Sequence, residues 1–137
     1  CGQTPAAARA AGCTFDLGTA AWLPPDCFDE ELHAEFMSQG PWKFYHNTSD
    51  FVCGEDCLTY PEPSQLVPLE TLDDISGYLS YFVWTDRRYH VSHCMYAWKL
   101  MHRQMEKGRK MDQILISWHH TAHCVDSMNR TYMSPEV

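Results

Sequence analysis

A five-residue motif occurs twice in this chain of 137 residues and constrains its fold more than any other feature. It reads His90-Val91-Ser92-His93-Cys94 and then His120-Thr121-Ala122-His123-Cys124, so both copies are His-x-x-His-Cys. Residues three apart lie on one face of an α-helix. Two helices that pack through these faces bring four imidazoles close together. The repeat therefore predicts a metal site between two neighbouring helices.

The residues around both copies have the pattern of helices with recognisable ends. The first helix is predicted over 86–107, with Thr85 as its cap and Gly108 as its stop. The second is predicted over 118–129, with Ser117 as its cap. The motif histidines fall on the apolar side of the first helix, whereas its charged residues fall on the opposite side. We therefore expect two antiparallel helices with inward-facing histidines.

The remaining segments predict a small domain without a second folding unit. A short helix begins at Thr4-Pro5 and ends at Gly12, and a longer one covers 27–39 with Asp26 as its cap. Extended segments are expected at 14–23, 41–45 and 78–84, and a loop over 46–70. A helical turn is expected from residue 71 until Gly77 interrupts it. Residues 114–116 are expected as a strand or as the start of a helix. The expected fold class is mainly α: a small, disulfide-braced helical domain with two antiparallel metal-binding helices and short extended segments.

Heavy cysteine usage indicates an oxidising compartment. The chain has seven cysteines, all disulfide candidates: Cys1, Cys13, Cys27, Cys53, Cys57, Cys94 and Cys124. An odd number leaves at least one of them free or paired outside the chain. Two sequons, at Asn47 and Asn129, are glycosylation candidates and agree with a secretory lumen.

Position along the chain suggests how some cysteines pair. Cys1 and Cys13 bracket the first helix, and Cys53 and Cys57 enclose a short loop. Both motif cysteines, Cys94 and Cys124, are expected in disulfides, either with one another or with Cys27.

Composition excludes several classes of function. A net charge of −8 without a basic patch argues against nucleic-acid binding. No apolar run is long enough to cross a membrane, but the chain begins with Cys1 and not Met, so an anchor segment can precede it. Neither a Gly-x-Ser-x-Gly motif nor a glycine-rich phosphate loop is present.

The ligand types narrow the choice of metal. Four imidazoles without a motif carboxylate suit copper or zinc better than calcium, magnesium or manganese, and non-haem iron usually requires a carboxylate. A zinc ion held by the motif thiolates, in a purely structural module, is the alternative. His119 points about 100° away from His120 and is an accessory candidate. His33 and His102 are expected at the periphery.

Several segments in order resemble the fungal UstYa-like family of mycotoxin biosynthesis. They are Cys1-Gly2, Gly12 to Asp16, Trp22 to Cys27 and the two pentads, and the stretch from His119 to Cys124 is especially similar to the family's second motif. The likeness spans nearly the whole chain, although residues 45–80 carry no family pattern.

The resemblance implies that residues 1–137 form one lumenal catalytic domain, anchored in the secretory pathway by a single transmembrane helix before Cys1. It implies a copper-dependent oxidative tailoring enzyme with dioxygen as cosubstrate. The outcome would be cyclisation, hydroxylation, desaturation or chlorination of a peptide or other natural product. An assembly with a second or related copy is compatible with this. The alternative is a non-catalytic binding or scaffold module with structural zinc.

Carried over to this chain, the resemblance makes His90, His93, His120 and His123 the ligands of one or two copper ions. Cys94 and Cys124 match the motif cysteines. Several flanking residues are candidates for shaping the site around the ligands: His119, Tyr89 and Trp118, with Tyr96 and Trp98 beside them.

Overall fold

Helices and two small antiparallel sheets make up the computed structural model, which describes residues 1–47, 62–78 and 83–132, with 130–132 described by backbone alone. The helices of the described ranges are α1 (Pro5–Ala10), α2 (Glu30–Ser38), α3 (Leu72–Tyr78), α4 (Arg87–Glu106), α5 (Gln113–Ile116) and α6 (Trp118–Tyr132). The strands there are β1 (Thr14–Asp16), β2 (Ala21–Leu23), β3 (Phe44–Asn47), β4 (Leu66–Leu69) and β5 (Val83–Thr85), and a 3₁₀ turn covers Pro63–Gln65. The fold is therefore mixed, and the mainly α prediction was right about the helices but underestimated the sheets.

The extended segments pair as two separate antiparallel sheets. β1 and β2 form a hairpin in which Phe15 lies opposite Trp22. β3 is the central strand of the other sheet and pairs with β4 and β5, so that Tyr45 lies between Pro68 and Trp84. The predicted extended character of 14–23 is confirmed at 14–16 and 21–23, whereas 17–20 form the turn between the two strands. The strand predicted over 41–45 begins later, at Phe44, and β4 occupies part of the predicted loop.

Helix ends show where local patterns were insufficient. α2 begins three residues later than predicted because the carboxylate of Asp29, and not that of Asp26, accepts the Leu32 N–H at 3.1 Å. α4 is capped by Asp86, whose carboxylate accepts the Tyr89 N–H at 2.8 Å, and not by Thr85. Both carboxylates compete successfully for orphan N–H groups, as anions at helix starts do.

Two further boundaries differ from the prediction. α3 continues through Gly77 to Tyr78, so the predicted break is wrong; a glycine in the last turn of a short helix costs only about 1 kcal/mol. Residues 114–116 are helical because Asp112 caps them, its carboxylate accepting the Ile114 N–H at 2.9 Å. α6 begins at Trp118 as predicted and extends to Tyr132.

α4 packs against the core with one face and contacts α6 with another. Its core face buries Tyr89, Tyr96 and Leu100 against the hairpin and α2, where the ring of Phe36 contacts both tyrosine rings. The buried face of α4 ends at Gln104, which is fully buried, whereas the next residue, Met105, is 63% exposed. In the described ranges no helix combines the length and apolar character needed to cross a bilayer.

Asp29 links α2 to α4 through hydrogen bonds from two cationic side chains. The residue is 3% exposed, and its carboxylate accepts hydrogen bonds from Arg103 at 2.9 and 3.1 Å and from Lys107 at 3.1 Å. Burial alone would raise the pKa of Asp29, but the hydrogen bonds from the Leu32 N–H, Lys107 and Arg103 outweigh burial and hold the pKa below its ordinary 3.8. The ionised form is therefore favoured by folding.

We predict that Asp29→Ala lowers the free energy of unfolding by about 2–4 kcal/mol, since it removes a helix cap and the hydrogen bonds that Arg103 and Lys107 donate to a buried carboxylate. Urea denaturation at neutral pH measures this. The difference in unfolding free energy between variant and wild type has its full size above the ordinary carboxyl pKa. It decreases to zero as the pH falls through the lowered pKa of Asp29. Asp26→Ala is the control, because Asp26 is exposed and its partner Lys110 is exposed as well. A loss below 0.5 kcal/mol, on the order of an ordinary surface substitution, would contradict the role of Asp29.

Candidate metal centre

The four motif histidines meet across the contact between α4 and α6 as two pairs. The Nε2 atoms of His90 and His123 are 3.0 Å apart, and those of His93 and His120 are 3.1 Å apart. Each pair takes one ring from each helix. The order is reversed between the helices, so α4 and α6 run antiparallel at this contact.

A disulfide between the motif cysteines ties the two helices together beside these pairs. Cys94 and Cys124 are bonded, with their Cα atoms 5.4 Å apart, and both are fully buried. Of the two pairings expected for these cysteines, the structure shows the one between them. Their sulfurs are consequently not thiolates, which removes them from the set of metal ligands that the zinc alternative needs.

The other cysteines are placed as follows. Cys1 and Cys13 form the predicted disulfide, and Cys27 has a free, buried thiol. Cys53 and Cys57 lie outside the described residues. Of the glycosylation candidates, Asn129 is exposed on α6 and Asn47 is half-buried at the end of β3. Glycosylation at either remains a prediction.

His93 is held in one orientation and one tautomer. Its Nδ1 lies 2.7 Å from the backbone carbonyl oxygen of Gly18, which can only accept, so Nδ1 carries the proton. Burial lowers the pKa of His93 to about 4, and the neighbouring His120 and His90 rings act in the same direction. The ring is therefore neutral at pH 7, with the lone pair of Nε2 directed at His120.

His120 occupies the same enclosed part of the contact. Burial lowers the pKa of His120, and the neighbouring His123 and His119 add to the effect. Its Nε2 lies 3.8 Å from the sulfur of Cys124, and its backbone N–H points at the Ser117 hydroxyl at 3.4 Å, so Ser117 lies where a helix cap was predicted. A neutral imidazole is the form that binds a metal.

The predicted accessory residues differ in their surroundings. The Tyr89 ring stacks on His93, with centroids 5.9 Å apart, and its hydroxyl donates to the carbonyl of Leu17 at 2.7 Å. His119 is exposed, and Trp118 is 79% exposed beside the second motif. Only Tyr89 among the three is fixed by contacts on both sides. Tyr96 is buried in the core and Trp98 is half-buried.

Of the two histidines predicted at the periphery, His33 contacts a buried carboxylate. Its Nδ1 lies 2.7 Å from the carboxylate of Asp16, a residue that is fully buried. His102 is exposed and pairs with Glu106 one turn along α4. The turn that contains Asp16 and Gly18 had no predicted role; the only local signal was the sequence Asp16-Leu17-Gly18-Thr19, which is typical of a side-chain-capped turn.

The donor set fits a metal that accepts pairs of imidazoles. Two nitrogens about 3 Å apart can each lie roughly 2.0–2.1 Å from one ion with a nearly right-angled geometry between them. Among the described residues, no group of three or more His, Cys, Asp or Glu side chains is arranged around one point. The described histidines thus come together as two pairs of imidazoles. Neutral nitrogen donors without carboxylates suit copper or zinc.

An open cavity of about 570 Å³ lies beside the second motif. His120 and His123 form part of its wall, and the other described lining residues come from α5 and the start of α6: Gln113, Ile114, Ser117 and His119. Among these described residues no Asp, Glu, Lys or Arg contributes to the lining. The described lining combines an apolar side chain with hydrogen-bonding groups, as ligand sites usually do.

Comparison with known proteins gives two distant relatives, both from Diaporthe leptostromiformis. They are phomopsin biosynthesis cluster proteins B and B′, each 25% identical to this chain over 132 residues. The alignment covers 90% of this chain and 34% of each relative, so the chain spans about a third of their length. No family model matches the chain, and no solved structure matches it. The similarity points to fungal secondary metabolism.

We predict that the double variant Cys94→Ala/Cys124→Ala loses about 3–4 kcal/mol of unfolding free energy and separates the histidine pairs. Chemical denaturation measures the first effect. Cross-ring NMR contacts between His90 and His123, and between His93 and His120, measure the second. Cys1→Ala/Cys13→Ala is the matched control, since it removes about 3 kcal/mol by the same mechanism but lies far from the pairs along the chain. Intact ring contacts in the first double variant would show that the disulfide does not set the pairing.

Proposed function

We propose that this chain is the lumenal catalytic domain of a copper-dependent oxidative tailoring enzyme of the UstYa-like family. The observation that carries the proposal is the arrangement of the repeated motif: four histidines from two helices, paired Nε2 to Nε2 at 3.0 and 3.1 Å beside a disulfide. The distant likeness to proteins of a fungal biosynthesis cluster supports the same conclusion.

The chain's own residues prepare the centre before any metal binds. The Gly18 carbonyl holds the Nδ1 proton of His93, which leaves Nε2 free to coordinate. The disulfide removes both motif thiols, so soft thiolate ligands do not compete with the imidazoles for the ion. Copper bound here, as one or two ions, would supply one-electron redox chemistry with dioxygen as the oxidant.

The substrate binds, in this proposal, in the cavity beside the second motif. His120 and His123 line that cavity, so a bound molecule lies directly against two of the ligands. The amide of Gln113 offers a donor and an acceptor, and the Ser117 hydroxyl offers another of each. These groups are suited to the amide groups of a peptide or a related natural product, with the apolar part of the substrate against Ile114.

Each possible outcome has its own overall balance of atoms and electrons. In cyclisation or desaturation the substrate loses two hydrogens, and dioxygen takes up their electrons and protons as hydrogen peroxide. In hydroxylation one oxygen atom enters the substrate and the other leaves as water, which requires two further electrons from an external reductant. Chlorination adds chloride as a co-reactant and again releases hydrogen peroxide.

The proposal also includes the compartment and the partners of the enzyme. Two described disulfides suit a secretory lumen, and we propose that an N-terminal membrane helix before Cys1 anchors the full-length protein there. A second or related copy of the chain is a candidate partner. Nucleic acid is not, because the net charge is −8.

We predict that protein purified without chelators binds Cu(II), and that replacing His90, His93, His120 or His123 singly with Ala weakens binding at least about tenfold. Elemental analysis and EPR measure this. His102→Ala is the matched control, because His102 is an exposed histidine on α4 outside the pairs. One firmly bound zinc with no Cu(II) signal would refute the copper enzyme and support a structural zinc module. Unchanged product formation in the His90 or His123 variant would indicate a non-catalytic partner.

We also predict that Ile114→Trp lowers product yield at least about tenfold while Cu(II) affinity stays unchanged, because the larger ring fills the cavity. Mass spectrometry of extracts from the native host measures the product. Ile116→Trp is the control: the same residue type on the same short helix α5, but 61% exposed and not part of the lining. Equal yields from both variants would place the substrate elsewhere.

A further inference from the structure

The β1–β2 turn contains a buried carboxylate that is surrounded by hydrogen-bond donors. The carboxylate of Asp16, fully buried, lies 3.3 Å from the Gly18 N–H, 3.2 Å from the Thr19 N–H and 2.8 Å from the Thr19 hydroxyl. It also lies 2.7 Å from Nδ1 of His33 and 3.1 Å from the Tyr96 hydroxyl. Five donors therefore converge on one side chain.

A carboxylate is the only side chain of this size that can satisfy all five. When ionised it has two acceptor oxygens and no donor, whereas the amide of Asn has one acceptor oxygen and an NH₂ group that would face donors. A buried polar group without partners is costly, so the donors specify an aspartate at this position. Among the interactions described, the ion-pair partner of Asp16 is His33, which is charged only when it is protonated.

The same turn directs two backbone carbonyls at α4. The carbonyl of Leu17 accepts the Tyr89 hydroxyl at 2.7 Å, and that of Gly18 accepts Nδ1–H of His93 at 2.7 Å. Gly18 itself packs so closely on the Tyr96 ring that a Cβ would lie 2.5 Å from it. The turn is also strained at its end, where Ala20 has a φ of 54°. The surrounding contacts hold this conformation in place.

We propose that Asp16 is a positioning residue for the metal centre: by fixing the Gly18 carbonyl, it holds His93 with Nε2 unprotonated and aimed at His120. The link runs from the Asp16 carboxylate through two backbone N–H groups to the carbonyl, and from there to the imidazole. Its role in metal binding rests on the proposed function, but its effect on the His93 ring does not require a metal. Orienting groups of this kind typically account for a 10- to 100-fold difference in metal affinity.

The test compares Asp16→Asn with Asp29→Asn, a second buried aspartate, whose carboxylate caps α2 and whose described side-chain hydrogen bonds reach neither the turn nor the motif histidines. In metal-free protein, ¹⁵N NMR reports the tautomer of His93. We expect a single Nδ1–H form in wild type and in Asp29→Asn, and a mixture of tautomers in Asp16→Asn. Cu(II) affinity should fall about 10- to 100-fold in Asp16→Asn alone, with an altered EPR spectrum.

Tyr96→Phe and Thr19→Val keep the test decisive if Asp16→Asn does not fold, because each removes one hydrogen bond to the carboxylate. Both should shift the His93 ¹⁵N signals in the same direction by a smaller amount. A wild-type tautomer in these variants, or in folded Asp16→Asn, would overturn the proposal. A changed tautomer together with no Cu(II) binding by the wild-type protein would sustain the positioning of His93 and refute only the copper enzyme.

Discussion

The disulfide between α4 and α6 is the constraint on which the site depends. α4 and α6 have 20 and 15 residues, and a shift of one turn between them would move each histidine past its partner. Cys94 and Cys124 prevent this by joining the helices directly after the second histidine of each motif. The cysteine of each motif therefore fixes the histidine pairs, although it would contribute no ligand to the proposed metal site.

A second constraint comes from the first twenty residues, which lie far from the motif in sequence. The β1–β2 hairpin packs on the core face of α4 and reaches the site through the backbone of a single turn. The disulfide restricts translation between the two helices, whereas the hairpin restricts rotation of one ring on α4. These two restraints act on different degrees of freedom. Together they explain how the four imidazole rings keep their positions in the absence of a metal ion.

What could be predicted from sequence follows from the range of each interaction. The spacing of His90 and His93 requires one helical face, so the two helices and the position of the histidines on them were accessible. The caps were harder to predict, because Asp26 and Asp29 are equally good candidates in the sequence and the contact that distinguishes Asp29 comes from Arg103, a residue 74 positions away. The contact of His93 with Gly18 joins residues 75 apart through a main-chain carbonyl, which leaves no signature in residue type. The antiparallel sheets were missed in part for the same reason.

The two histidine pairs are not equivalent, and the difference bears on how the centre works. The His93–His120 pair is partly buried, is oriented by the Gly18 carbonyl and lies against the disulfide sulfur. The His90–His123 pair is more exposed to solvent. Because each pair takes one ring from each helix, an ion bound by a pair would be held by the interface between α4 and α6 and not by one motif. The cavity reaches both pairs, because His120 belongs to the partly buried pair and His123 to the exposed one. In the proposed copper enzyme, a substrate in this cavity would therefore lie against one ligand of each pair.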